Sequence, residues 1–243
     1  MTEPTTWSPE LRRQDSDVLS ELLNARYSCR AFQSRPVDRA SIIALLELAQ
    51  RSPSWCNTQP WQVYITEGAG TEQLRAAITA FAATTPPQPD LPFPQHYTGT
   101  RDERRRAVAR QLYDSVGIQR GDRLASAAQA AKNFELFGAP HVAIVTTDVE
   151  LGVYGAVDCG VYLGHFLIAA QSLGIATIPQ AALAAVAPVI REHLGLPDEQ
   201  QVLFGISFGY PQEDHPANAF RSARAPIDDV LTWVTGVTPM SKP

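Results

Sequence analysis

From Val153 to Leu173 the chain is an almost unbroken run of apolar and small residues, and Gly174 follows as a helix stop. Only Asp158 and His165 interrupt the window Val153–Ala170. Those two polar residues argue against a membrane span and for a long helix buried inside a globular fold. A helix that is apolar on most sides has to be packed on most sides, so the other elements are expected to gather around it.

Those elements are mostly helices. Asp15-Ser16 fits a helix cap, with Val18, Leu19, Leu22 and Leu23 on one face of a helix reaching about Tyr27. Asp38 fits a second cap, and Ile42, Leu45, Leu46 and Ala49 keep helical spacing until Pro53. Further helices are predicted over 71–83, 101–115, 120–134 and 187–194, with a short one near 227–234. Strands are predicted at 61–66, 141–147, 175–178 and 201–209, where branched and aromatic residues cluster or alternate with polar ones. Helices without regular βαβ alternation exclude a doubly wound sheet and leave an α+β fold. Residues 1–14 read as a flexible tail and 15–243 as one domain. The proline-rich stretch 84–100 and the arginine-rich helices after it form an insertion or lid over about 84–135.

The net charge of −5 offers no overall attraction to nucleic acid or to acidic membranes. Three separated cysteines, Cys29, Cys56 and Cys159, cannot pair completely and lack metal-ligand spacing. The polar stretch Met1–Arg13 has no signal-like apolar core, so a reduced, cytoplasmic setting is expected. His96, His141, His165 and His193 show no ligand spacing, so no metal site is expected.

Three segments carry chemistry. In Arg26-Tyr27-Ser28-Cys29-Arg30 the alternate residues Arg26, Ser28 and Arg30 would point one way in an extended chain. Paired guanidinium forks match phosphate and other oxyanions. The loop Pro53-Ser54-Trp55-Cys56-Asn57-Thr58-Gln59-Pro60 offers amides and hydroxyls able to read a ligand edge of mixed polarity. The tail Asn218-Ala219-Phe220-Arg221-Ser222-Ala223-Arg224 adds two more arginines. Taken singly, each is also what a solvated helix end, a capped turn or an exposed basic patch looks like.

Together, and in this order, they resemble the FMN-dependent nitroreductase family. That family carries Arg-x-Ser-x-Arg after its first helix and Asn-x-Gln-Pro-Trp after its second. A late arginine follows a Gly-Tyr-Pro exit from a strand, here Gly209-Tyr210-Pro211 and Arg224. The resemblance runs from about residue 17 to 233. It implies a central, mostly antiparallel sheet flanked by helices, in an intertwined homodimer with FMN at the interface. It assigns Arg26, Ser28 and Arg30 to the flavin phosphate, ribityl chain and ring oxygens, with Arg224 completing the phosphate site. Ser54 and Asn57 would reach the partner subunit's flavin, and Pro179-Gln180-Ala181 would lie near flavin N5. Tyr27, Pro53, Trp55, Gln59 and Arg221 complete the expected cofactor-binding set. Trp55 and Tyr113 are candidate substrate contacts. The implied activity is NAD(P)H-dependent reduction of nitroaromatic, quinone or related acceptors, by ping-pong hydride transfer through flavin N5. NADPH or NADH is the co-substrate, and no side-chain acid or base is required. Tyr27 departs from the family, many members of which have a second arginine there.

Three rivals remain. Gly205-Ile206-Ser207-Phe208-Gly209 matches the G-x-S-x-G pattern of serine hydrolases, but Tyr210-Pro211 is a poor start for the helix such an elbow needs. A non-catalytic flavin-binding protein would use the same clamp. A reductive dehalogenase would use the same fold.

Overall fold

The apolar-periodic segments fold as helices around a small sheet in the computed structural model, which describes residues 9–236. The helices are α1 (Pro9–Ala25), α2 (Arg39–Ala49), α3 (Ala69–Thr84), α4 (Gly99–Ser115), α5 (Arg123–Ala131), α6 (Gly152–Ser172) and α7 (Ala187–Leu194). The strands are β1 (Gln62–Ile65), β2 (His141–Asp148), β3 (Ala176–Gln180) and β4 (Gln200–Gly209). They form one sheet in the order β1-β2-β4-β3, with every adjacent pair antiparallel.

Strand β2 explains how the core divides. Its residues alternate between the two faces of the sheet, and both faces are covered. Ala143 and Val145 pack with Ile42 and Leu45 of α2, Phe166 of α6 and Phe208 of β4. Val142 and Ile144 pack with Leu74 and Ile78 of α3, Leu183, and Ile190 of α7. A helical layer therefore lies on each face. Close approach is built in at Gly205, where an added Cβ would lie 2.2 Å from Leu183 Cδ1. Helix α2 starts where Asp38 accepts from the Ser41 amide at 2.9 Å and from the Ser41 hydroxyl at 2.8 Å.

Helix α6 is the expected long helix. Gly155, Asp158, Cys159, Tyr162, Phe166, Ala169 and Ala170 form its buried stripe. Its opposite side is open: Val153, Tyr154 and Val157 are exposed. By length and composition alone, Val149–Ser172 is apolar enough to cross a bilayer. Its inner stripe instead packs in the core shared with α2 and the sheet.

The structure corrects several boundaries. Helix α1 begins at Pro9, so residues 9–14 are helical where the sequence predicts tail. Proline suits a first turn, and Leu11-Arg12-Arg13-Gln14 are good helix formers. Residues 1–8 lie outside the described residues. The helix expected over 120–134 contracts to α5, because Gly121 takes a left-handed φ of +92° and Asp122 caps the next turn through the Ala125 amide. The helix expected near 227–234 is a single 3-10 turn, Ile227–Asp229. Ser207 lies inside β4, its hydroxyl buried and donating to Gln180 Oε1 at 2.5 Å. It sits on no nucleophile elbow.

Candidate functional site

Helix α1 ends at Ala25, and the chain then runs extended beside the sheet edge. Ser28 forms a parallel bridge with Thr177 of β3, and the Cys29 amide donates to Thr177 O at 2.9 Å. This pairing sets the facing of the side chains. Cys29 turns inward among Phe32, Phe137, Ala139 and Ile178, where burial pushes its thiol up to about 11. Arg26, Ser28 and Arg30 line a cavity of about 280 Å³ on the other side.

The far wall comes from the C-terminal segment. Asn218, buried, accepts from the Arg30 amide at 2.7 Å through Oδ1. Its Nδ2 donates to Ala31 O and to Gln212 O, both at 2.9 Å. This buckle brings Arg221 and Arg224 to the same cavity. Arg221 lies over the Tyr27 ring, 3.7 Å from its centroid, and donates to Asn218 O at 2.9 Å. Arg30 faces Phe220 at 5.5 Å and donates to Ser28 O at 3.1 Å. Arg224 donates to Ser222 Oγ at 2.9 Å. Tyr27, at the position where many members of the resembled family carry a second arginine, is the platform over which Arg221 lies. The sequence does not single out Asn218 or Phe220 as site residues. Asn218 enters the sequence reading only as the first residue of the arginine-bearing tail, and its reach of 188 residues back to Arg30 has no local signal.

Four guanidinium groups line this cavity and no carboxylate does. Among the described residues, none of the four is in an ion pair. Burial, and then the neighbouring Arg224, hold the Arg26 guanidinium below its ordinary range, and burial does the same to Arg30. Partly buried like charges without counter-charge are costly, and a multiply charged oxyanion relieves that cost. The hydrogen bonds to Ser28 O, Asn218 O and Ser222 Oγ hold three of the four forks in place before any anion arrives.

The loop after α2 is a separate site on the same chain. Cys56, Asn57 and Gln59 all take left-handed φ values, 51°, 58° and 49°. That costs about 1 kcal/mol each for residues with a Cβ. The Trp55 amide donates to Asp158 Oδ2 at 3.0 Å, and Ser54 Oγ accepts from the Gln59 amide at 2.9 Å. Gln59 Oε1 accepts from Gln50, whose own Oε1 accepts from Trp61 Nε1. Gln59 is therefore occupied in bracing the loop. Pro53 is exposed, and Asn57 presents an exposed side-chain amide with no partner among the described residues. Trp55, also exposed, meets Tyr154 of α6 edge-to-face at 4.8 Å. This loop sits beside the open face of α6 and does not line the arginine cavity.

At the end of β3, Pro179 is half-buried and Ala181 exposed. The Gln180 side chain is buried, donating to Asn133 O at 2.8 Å and accepting from Ser207. The Gln180 side chain is therefore not free for a ligand. Tyr113 lines a different hollow, on the side of α4 away from the clamp.

A family model described as the nitroreductase family matches residues 23–210. The chain belongs to the nitroreductase family. This nitroreductase-family chain is 32% identical to nitroreductase NfnB of Mycolicibacterium smegmatis, over 90% of this chain and 93% of that protein. It is 31% identical to nitrobenzene nitroreductase of Ectopseudomonas oleovorans, over 90% and 98%. Among solved structures, the FMN- and NADPH-dependent nitroreductase NfnB from a Sphingopyxis strain superposes with a TM-score of 0.86 at 33% identity, covering 90% of this chain and 99% of that one. The Mycobacterium smegmatis NfnB complex with NADPH superposes equally well, at 30% identity and the same coverage.

Proposed function

We propose that this protein is an FMN-dependent NAD(P)H oxidoreductase that reduces nitroaromatic acceptors by a ping-pong exchange in one cleft, working as an intertwined homodimer. The observation that carries the proposal is the cavity of four guanidiniums without a carboxylate, held open by Asn218. The donor set fits FMN. A phosphate monoester carries about −1.5 to −2 charges at pH 7 and three acceptor oxygens, and Arg26 with Arg224 answers both. Bound there, FMN would supply hydride acceptance from NAD(P)H and hydride delivery to the acceptor.

The chain's own part is binding, orientation and charge. Arg26, Arg224 and Arg221 hold the phosphate end, with Arg221 steadied by Tyr27. Ser28 offers a hydroxyl to the ribityl chain. Arg30 contributes positive charge toward the pyrimidine edge of the ring, where it favours an anionic form. Asn57 and Ser54 face the partner subunit, and their strained loop presents the Asn57 amide without a competing partner. Pro179, the Gln180 backbone and Ala181 close the side near the ring. Relatives named for nitrobenzene and 4-nitrobenzoate reduction support small nitroaromatic acceptors. The segment 84–135 acts as the lid that selects among acceptors, with Trp55 as a contact; Tyr113, in its separate hollow, is not placed against the acceptor.

The homodimer rests on the open side of α6. Val153, Tyr154 and Val157 are exposed there, and farther along α6 Val161 lines, with Leu19 of α1 and Leu48 of α2, an apolar hollow of about 500 Å³. Such a surface is costly in water and marks an association face.

The test is spectroscopic. Purified protein should be yellow, bleach with NADPH or NADH under anaerobic conditions, and regain colour on addition of nitrobenzene. Protein that binds FMN but never bleaches would be a flavin carrier instead, and protein that binds no FMN would refute the reading entirely.

A further inference from the structure

A second basic cavity, of about 470 Å³, lies where α4 turns into α5. Arg105, Arg106 and Arg110 of α4 line it together with Arg120 from the connecting loop, and Tyr113 supplies an aromatic face among them. The charge is not balanced locally. Arg105 and Arg106 share the single carboxylate of Asp102, at 2.8 and 2.7 Å. Asp114 is the one acidic residue in the lining. Arg110 and Arg120 take part in no ion pair among the described residues. An excess of guanidinium charge is thus concentrated here in a chain whose net charge is −5.

The place of this cavity matters as much as its charge. Helix α4 is the shared wall between it and the flavin-phosphate site proposed above. Val108 lines the first cavity, while Ala109, Arg110 and Tyr113 line the second. A helix with its side chains is about 10–12 Å across, so the two anion sites are near neighbours. The two cavities lie on opposite sides of α4, so one elongated reductant has to round that helix to set its reacting end over the flavin and a distant phosphate among these arginines.

We propose that this cavity receives the ribose 2′-phosphate of NADPH, with Tyr113 against the adenine, so that the protein prefers NADPH to NADH. The inference rests on the reductase reading above and names its reductant. A dianionic monoester is what NADPH carries and NADH lacks. Several convergent forks suit its charge and its three oxygens better than they suit a carboxylate.

The experiment uses FMN-loaded protein, in which the first anion site is filled. Calorimetry compares adenosine 2′,5′-bisphosphate with adenosine 5′-monophosphate, and steady-state kinetics give kcat/KM for NADPH and NADH. The bisphosphate should bind at least about tenfold more tightly, since each charge-assisted pair is worth about that factor or more. Arg110→Ala and Arg120→Ala should each remove most of that advantage and lower the NADPH-to-NADH ratio by about tenfold. Both residues are exposed, so neither change threatens folding. Arg101→Ala, on the same helix but outside the cavity, should leave the ratio where it was. Unchanged bisphosphate affinity and an unchanged ratio in both variants overturn the proposal. So does a rise in KM for 4-nitrobenzoate but not nitrobenzene with the coenzyme ratio intact, which would make the cavity a carboxylate site for the acceptor. Arginine-dependent bisphosphate binding without turnover of either nucleotide supports the site while overturning the reductase reading.

Discussion

Replacing Asn218 by alanine should cost stability and cofactor affinity together. The Asn218 side chain is 3% exposed and makes three hydrogen bonds, to the Arg30 amide, Ala31 O and Gln212 O. A net contribution of about 0.5–1.5 kcal/mol per bond, with buried partners left unmade, gives about 2–4 kcal/mol. The loss has to be read on flavin-free protein, because bound ligand adds its own stabilisation by mass action. Urea unfolding at neutral pH should show the midpoint falling with the slope unchanged. Fluorescence titration should show FMN binding weakened at least about tenfold, since Arg30 loses its backbone anchor and the tail bearing Arg221 and Arg224 loses its tie. Asn218→Asp separates the two effects: it keeps an acceptor for the Arg30 amide, loses both donors, and sets a negative charge beside the phosphate site. It should bind FMN no better than the alanine variant. A cost below about 1 kcal/mol with unchanged FMN affinity in both variants would show that the tail is held by something other than this buckle.

Three further outcomes are expected. The double variant Arg26→Ala with Arg224→Ala should purify colourless, and stoichiometric FMN in it would remove both residues from the phosphate site. Val157→Asp with Val161→Asp, on the open side of α6, should give a monomer by light scattering, whereas a retained dimer would place the interface elsewhere. Burial raises the Cys29 thiol from its ordinary 9.0 to about 11 and the Cys159 thiol from 9.0 to about 12, so the folded state favours both in neutral form. Their contribution is complete below about pH 9 and is lost as pH rises through 11 and then 12; the urea midpoint should fall with alkaline pH, less steeply in Cys159→Ala, and parallel slopes would contradict this.

Much of this architecture was legible because its signals are local. The buried stripe of α6, the Asp38 cap and the apolar runs of β2 and β4 each declare themselves within a few residues. The boundaries that shifted did so for equally local reasons: a left-handed Gly121 shortened α5, and good helix formers behind Pro9 lengthened α1. The clamp was half legible. Alternation placed Arg26, Ser28 and Arg30 on one side, but the facing itself depends on Thr177, far along the chain. Asn218 and Phe220 were beyond reach for the same reason, since their roles exist only when the tail lies against residues 27–33. Gln180 shows the converse. A side chain that looks available in sequence is consumed by Asn133 and Ser207 once the strands pair.

The buckle at Asn218 also divides the chain into a part that builds the sheet and a part that closes the site. Among the described residues the last strand ends at Gly209, so all four strands precede the segment that forms the far wall of the four-arginine cavity. Residues 26–30 precede all four strands, whereas Asn218, Arg221 and Arg224 follow β4. Completion of the four-arginine cavity is thereby tied to a segment outside the sheet. A chain cut after Gly209 is expected to keep its four strands while losing Asn218, Arg221 and Arg224, and with them the wall that closes the cavity.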